Sequence, residues 1–369
     1  MSKALTFIVS GGGTGGHIFP AVSIADGIKD RFPHAEILFI GALGRMEMER
    51  VPSAGYPIVG LPISGLQRKH WAKNFSLPLK IIASLWKVYR TLRRVRPDVV
   101  IGTGGYASAP TLWMAQRMGI PTVIQEQNSY AGITNQWVAP RAKAICVAYS
   151  GMEKWFPSDR VFLTGNPVRN MVARLADAPR KTEHKKRAVS ALGFDPNRPL
   201  VVVLGGSQGA RAINQAIEKW APLWLADGIQ VLWQCGALYK TALQKSIVPH
   251  PDLQWSPFLD DMLTVYKAAT LVVSRAGAGT LSELACAGLP VVLIPSPNVA
   301  EDHQTHNAQA LVDKNAAIMV REKDIHTVDS AVRQLIQDEA RREALASAIR
   351  SLAKPRATEE IVEHIVQAL

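Results

Sequence analysis

The chain lacks the features that would place it in several large protein classes. Its three cysteines, Cys146, Cys235 and Cys286, are odd in number and widely spaced, with no C-x-x-C pair. That argues against a disulfide framework or a thiolate zinc site and fits a reducing compartment. Long apolar runs are missing as well. The stretch free of formal charge that comes nearest a spanning length, VVIGTGGYASAPTLWMAQ, is broken by Gly, Pro and Ser, so no transmembrane helix is expected. Residues 1–9 carry one Lys and a strand-like run, not a secretion signal. No D-x-D motif stands between strand-like segments, so no bound metal and no other cofactor is expected. With 47% hydrophobic and 20% charged residues, extended disorder is not expected.

Acidic residues are scarce in one half only. Residues 1–170 hold 20 Lys and Arg against 9 Asp and Glu, whereas 171–369 hold 22 against 21. The first half is therefore the half that should meet an anionic partner: a membrane surface, a phosphorylated substrate or a nucleic acid. No nucleic-acid module or aromatic stacking motif is recognisable, so nucleic acid is not expected.

At 369 residues two domains are the natural division. The first half alternates strand-like runs (LTFIVS, AEILFIG, DVVIGT, PTVIQE, KAICVA, VFLTG) with helical patterns. The second half restarts with PLVVVLGGSQGARAIN and continues through IQVLWQC, ATLVVSRAGAG, PVVLIPSP and AAIMV. Strand, glycine loop and helix make the βαβ unit of a doubly wound parallel sheet. The expected fold class is α/β, two Rossmann-like domains facing a deep cleft. The expected domains are residues 1–168, 169–355 and a C-terminal helix, 356–369, packing back on the first. From Val328 onward two helices are expected, interrupted by Pro355.

Four strand ends are rich in glycine: 11–17, 102–108, 205–210 and 275–283. Such loops let backbone N–H groups approach an oxyanion, and the next helix adds its positive end. Gly11, Gly13 and Gly16 form G-x-G-x-x-G, but the second strand ends LFIGA with no acid for a ribose, so a dinucleotide site loses its second signature. Ala278, Gly279 and Thr280 read as a helix N-terminus suited to phosphate. Glu283 is expected in the first turn, either accepting from two ribose hydroxyls or serving the helix dipole. His17 stands where the first loop becomes a helix, as a structural histidine or as an acid–base group.

Taken together, GGGTGGHIFPA, GTGGYASAP, QEQNSYAGITN, GNPVR, GGSQGARAIN, FLDDM, SRAGAGTLSELACAGLP and DHQTHNA resemble the bacterial peptidoglycan glycosyltransferases that add N-acetylglucosamine to lipid I. The resemblance spans residues 11–308 and implies a GT-B fold, UDP-N-acetylglucosamine as donor, lipid II as product, and a peripheral position on the cytoplasmic face of the cell membrane. Carried onto this chain, it assigns the donor diphosphate and ribose to Ser207 and the loop Ala278, Gly279, Thr280, Leu281, Ser282 and Glu283. Uracil falls to Arg169 and the backbone of Leu259, and sugar hydroxyls to Gln304 with His303. Thr14, Gly15, Gly16 and Asn128 reach the sugar and diphosphate from the first domain. Gly104, Gly105 and Tyr106 belong to the acceptor side. Some family members have His where this chain has Gln125, which leaves Glu126 as the acid of that segment.

An inverting displacement needs a base for the acceptor hydroxyl and stabilisation of the departing UDP. His17 is the expected base, with Glu126 second. The stretch 64–80 mixes Leu66, Trp71, Phe75, Leu77 and Leu79 with Arg68, Lys69, Lys73 and Lys80, as an anchor on anionic lipid would. Residues 81–94 read instead as a crossover helix packing through Ile82, Leu85, Val88, Tyr89 and Leu92. Two alternatives stay open: a UDP-sugar epimerase on the same architecture, and a non-enzymatic membrane-associated UDP-sugar sensor.

Overall fold

Runs of Val, Ile and Phe without polar alternation are what a strand covered on both faces requires, and they form two parallel sheets. A computed structural model describes residues 4–65, 76–178, 181–206 and 209–369. The chain divides into two compact units, Met1–Val168 with Arg356–Leu369, and Arg169–Pro355.

The first unit holds β1 (Thr6–Gly11), β2 (Glu36–Ala42), β3 (Ile58–Leu61), β4 (Val99–Gly104), β5 (Thr122–Glu126), β6 (Ala144–Val147) and β7 (Val161–Leu163), ordered 3-2-1-4-5-6-7. The second holds β8 (Leu200–Leu204), β9 (Gln230–Gln234), β10 (Leu253–Ser256), β11 (Leu271–Ser274), β12 (Val291–Leu293) and β13 (Ile318–Met319), ordered 10-9-8-11-12-13. Every pairing between these strands is parallel. In each unit the strand order reverses between the first and fourth strands, β1 and β4 or β8 and β11. Ligands of doubly wound sheets bind at that switch point, beyond the carboxyl ends of the strands. All four glycine loops leave those four strands, so each unit presents a pair of them at its switch point.

Two strands escape the hydrophobic pattern. β3 and β10 are edge strands, and β10 (LQWS) is half polar and only partly buried along its length. β3 (IVGL) is apolar but only four residues long, with Gly60 inside it and a proline on either side, and β10 mixes polar with apolar residues, so neither stands out as a run. The region after Val328 forms three helices where two were expected: Val328–Gln337, Glu339–Arg350 and Ala357–Gln367. Asp338 makes the extra break. Its backbone leaves the helical region, and its carboxylate accepts from Arg341 N at 2.9 Å as the next N-cap.

The helix Leu77–Val95 joins β3 to β4 and packs through Val88 and Leu92 as expected, but Ile82 and Tyr89 do not pack as expected. It buries only Ser84, Val88, Thr91 and Leu92, while Leu79, Ile82 and Trp86 are more than half exposed and Tyr89 also faces solvent. The last helix buries Ile361, Val362 and Ile365 in one cluster with Phe7, Val9, Ile24 and Ile28. Shortening one of these side chains leaves a cavity in the first unit's core. Ile361→Ala is expected to destabilise that unit by about 2–5 kcal/mol, measured by denaturant-dependent hydrogen exchange of the β1 and β4 amides.

Candidate active site

In the first unit the loops after β1 and β4 touch. Gly105 adopts φ +82°, and a Cβ there would collide with Gly12 O; Gly104, at φ +94°, would crowd the His17 ring at 3.0 Å. Only glycine lets these two backbones close on each other. Thr14 is the N-cap of the helix Gly15–Arg31, in extended conformation and with no capping side chain, so the amides of Gly15 and Gly16 head a helix positive end.

Gly13 is different, because its N–H already has an anion. Glu47, fully buried, accepts from Gly13 N with both oxygens at 3.2 and 3.1 Å and from Ala42 N at 3.0 Å. Glu47 thus fills part of the cradle that the glycine pattern offers, a role invisible in a sequence where it stands five residues past β2. Tyr106 packs its ring on Gly13, and its buried hydroxyl lies beside Arg45 and Glu47. Burial chiefly raises this phenol above its ordinary value, with Arg45 opposing, so it stays a neutral donor.

His17 Nδ1 lies 2.9 Å from Thr103 O and 3.0 Å from Gln127 Oε1. Among the described residues nothing hydrogen-bonds Nε2. Glu126 has a different task. Its Oε1 accepts from Asn128 N (3.1 Å) and Nδ2 (3.3 Å), and its Oε2 from Gly132 N (3.0 Å) and Asn135 Nδ2 (2.9 Å). A carboxylate has about four acceptor sites, and here four donors take them. Glu126 therefore organises the loop 127–132, Asn128 included, and keeps no free lone pair for a substrate proton.

In the second unit Gly277 is the N-cap of the helix Ala278–Ala287, again with no capping side chain, and a Cβ on Gly277 or Gly279 would meet nothing within 4 Å. The amides of Ala278, Gly279 and Thr280 therefore stand at an open helix end, the arrangement that holds phosphate. Leu281 is a core residue, and Ser282 Oγ donates to Ala278 O at 3.0 Å, so neither side chain is presented as the loop pattern implied. Glu283 falls in the second turn, not the first, because the helix begins at Ala278. It pairs with Arg169 through two bonds, Nε to Oε1 at 2.8 Å and Nη2 to Oε2 at 3.0 Å, and accepts from Tyr266 Oη at 2.8 Å. Burial first, and then the Glu283 charge, hold the Tyr266 phenol well above its ordinary value, so it remains a donor across the working pH range. Tyr266 was not anticipated, being one apolar-looking residue in a short helix.

Leu259 lies in the loop after β10, half-buried, and its backbone has no hydrogen bond among the described residues. His303 and Gln304 open the helix His303–Val312, and Gln304 Oε1 accepts from Ser296 N at 2.9 Å. The two residues before that helix, Glu301 and Asp302, hold positive φ of 56° and 48°, strain of the kind that collects at ligand sites. Ser207 lies outside the described residues, as do Leu66, Arg68, Lys69, Trp71, Lys73 and Phe75.

Residues 7–147 match the family model described as the glycosyltransferase family 28 N-terminal domain, and residues 200–361 match the family 28 C-terminal domain. The chain belongs to glycosyltransferase family 28. Among relatives of this family 28 chain is a Parabacteroides distasonis protein named UDP-N-acetylglucosamine–N-acetylmuramyl-(pentapeptide) pyrophosphoryl-undecaprenol N-acetylglucosamine transferase. It is 48% identical over 366 residues, 98% of either chain. A Bacteroides thetaiotaomicron protein of the same name is 48% identical over 100% of this chain and 98% of its own. The crystal structure of Acinetobacter baumannii MurG matches the whole of both chains with TM-score 0.76 and 27% identity. A UDP-GlcNAc 2-epimerase from Neisseria meningitidis reaches TM-score 0.66 at 14% identity, covering 99% of this chain and 100% of its own, which is likeness of fold alone.

The saturated carboxylate gives a direct check on the two base assignments. Glu126→Gln places an NH2 where donors already point. It is expected to destabilise the ligand-free protein by about 1–3 kcal/mol in equilibrium denaturation, an effect that a carboxylate serving only as base would not produce.

Proposed function

We propose that this glycosyltransferase moves N-acetylglucosamine from UDP-N-acetylglucosamine to the muramyl 4-hydroxyl of undecaprenyl-diphosphate-linked N-acetylmuramyl-pentapeptide, lipid I, forming lipid II. What carries the reading is near-half identity, from end to end, with proteins bearing that activity in their name. The fold by itself is shared with epimerases and could not decide. The residues supply the chemistry that the transfer needs.

The acceptor hydroxyl attacks C1 of the donor while UDP leaves, in one displacement that inverts the anomeric centre. As the C–O bond forms, the hydroxyl proton passes to His17 Nε2, and the electron pair of the breaking bond goes to the UDP diphosphate. The open amides of Ala278, Gly279 and Thr280 and their helix end stabilise that growing charge. Glu283 accepts from a ribose hydroxyl at the one acceptor site that the two Arg169 bonds and Tyr266 leave, and the Arg169 guanidinium with the Leu259 backbone reads uracil. His303, the Gln304 amide, Thr14, Gly15, Gly16 and Asn128 serve the donor sugar and diphosphate. Gly104, Gly105 and Tyr106 are assigned to the acceptor's side of the first unit, with the Tyr106 phenol kept neutral by burial.

The lipid acceptor calls for a membrane-facing surface. Among the described residues no helix is long and apolar enough to cross a bilayer. The helix Leu77–Val95 instead exposes Leu79, Ile82, Trp86 and Tyr89, with the Arg90 guanidinium 4.6 Å over the Trp86 ring and Arg93 5.7 Å over Tyr89. Aromatic and aliphatic groups interleaved with cations suit peripheral binding to an anionic leaflet.

With labelled UDP-N-acetylglucosamine and a short-chain lipid I analogue, UDP release is expected only when the acceptor is present. Acceptor-independent conversion of the sugar would overturn the assignment in favour of an epimerase, and binding without turnover would favour a sensor. In the same assay His17→Ala is expected to lower kcat by about 10²–10⁴-fold with UDP affinity unchanged; near-normal turnover would remove His17 as base. Flotation with anionic vesicles is expected to carry the protein at low salt and to release it as salt rises. The pair Ile82→Asp and Trp86→Ser should abolish flotation without loss of soluble-analogue turnover.

A further inference from the structure

A base must present a lone pair, and a neutral imidazole has one on whichever nitrogen lacks the proton. Both groups facing His17 Nδ1, Thr103 O and Gln127 Oε1, are carbonyl oxygens that can only accept. Nδ1 therefore carries the proton and Nε2 the lone pair. That conclusion depends on which way the Gln127 amide points, and the surroundings decide it. Gln127 Nε2 donates to Thr103 O at 2.7 Å and to Gln125 O at 3.0 Å, and also contacts Gln125 Oε1. Turning the amide over would set its oxygen among three other oxygens and its NH2 against the imidazole N–H.

Gln125 is locked in turn. Its Nε2 donates to Asn166 Oδ1 at 2.9 Å, and Asn166 Nδ2 donates back to Gln127 O at 3.0 Å. Gln125, Gln127 and Asn166 are at most 2% exposed, so water does not compete for these bonds. We propose that Gln127 is a positioning residue that holds His17 in its Nδ1–H form, and that Gln125 and Asn166 fix the Gln127 amide for this purpose. The proposal rests on His17 as the base of the transfer. A neutral amide suits this task better than an acid. A carboxylate at 127 would favour the imidazolium and keep Nε2 protonated to higher pH.

The test uses the full-length protein in two parts. Long-range 1H–15N spectra of the ligand-free protein with labelled histidine report the tautomer of each imidazole, and the His17 signals are those lost in His17→Ala. The expected result is a protonated Nδ1 and an unprotonated Nε2; an Nε2–H tautomer would overturn the proposal whatever the activity. Kinetics then compare two substitutions. Gln127→Leu leaves Thr103 O as the one remaining acceptor on Nδ1; it is expected to lower kcat roughly tenfold or more, part of what a general base contributes, with donor KM unchanged and a rise in the minor Nε2–H tautomer of His17. Gln127→Glu is expected to retain more turnover than Gln127→Leu and to move the acid limb of the kcat profile upward by roughly one pH unit. Wild-type kcat and an unchanged tautomer in Gln127→Leu, or an unmoved acid limb in Gln127→Glu, would contradict it. Normal turnover in His17→Ala would remove the base role, while the tautomer measurement would still report on the amide lock.

Discussion

Two carbonyl oxygens converging on one imidazole nitrogen are the constraint on which the chemistry of the first unit depends. They come from the ends of neighbouring strands, Thr103 from β4 and Gln127 just past β5. Their placement needs the chain to turn sharply after β4, which Gly104 and Gly105 permit through positive φ. It also needs the loop after β5 to hold its shape, which Glu126 ensures by gathering four donors. The histidine is supplied by the third loop, after β1, whose Thr103 Oγ1 to His17 O bond of 2.9 Å ties the helix start to β4. A histidine with a defined free nitrogen, as the proposed base requires, is thus the product of one backbone carbonyl and one locked side-chain amide.

The two units use the same glycine design for different ends. In the second, the N-terminus of the helix Ala278–Ala287 is left open, with only glycine at its cap, and suits a diphosphate. In the first, Glu47 already occupies the Gly13 amide, so the loop keeps only its helix-end amides for a ligand. A buried carboxylate on a phosphate-type loop also explains why a dinucleotide is a poor fit there, beyond the absence of an acid at the end of β2. Arg169 and Tyr266 hold Glu283 in place in the ligand-free protein, which would lower the ordering needed for the proposed ribose contact.

Much of the fold was legible because both sheets are parallel and covered on both faces, so their inner strands read as unbroken apolar runs. The edge strands β3 and β10 were not, since β3 is four residues with Gly60 inside it between two prolines and β10 mixes polar with apolar residues, whereas the edge strands β7 and β13 keep apolar runs. The break at Asp338 turned on a single capping carboxylate inside a sequence otherwise helical throughout. The four glycine loops and His17 stood out from composition and spacing alone. Glu47, Thr103, Asn135 and Tyr266 did not, because each acts through a contact that no local spacing encodes: Glu47 lies 34 residues from Gly13, Thr103 86 from His17, Tyr266 17 from Glu283 and Asn135 9 from Glu126. The helix Leu77–Val95 was half legible: Val88 and Leu92 pack as read, while Ile82 and Tyr89 stay exposed. Its period of apolar residues is that of a packed helix, and periodicity does not say whether the face meets a protein core or a lipid surface.

The most direct test of this account is a crystal structure of the protein with UDP and an acceptor analogue carrying the muramyl 4-hydroxyl. That hydroxyl is expected within about 3 Å of His17 Nε2, with Gln127 Oε1 still on Nδ1 and Glu126 still holding its four donors. A 4-hydroxyl bound to Glu126, or a His17 ring turned so that Nδ1 faces the acceptor, would contradict it.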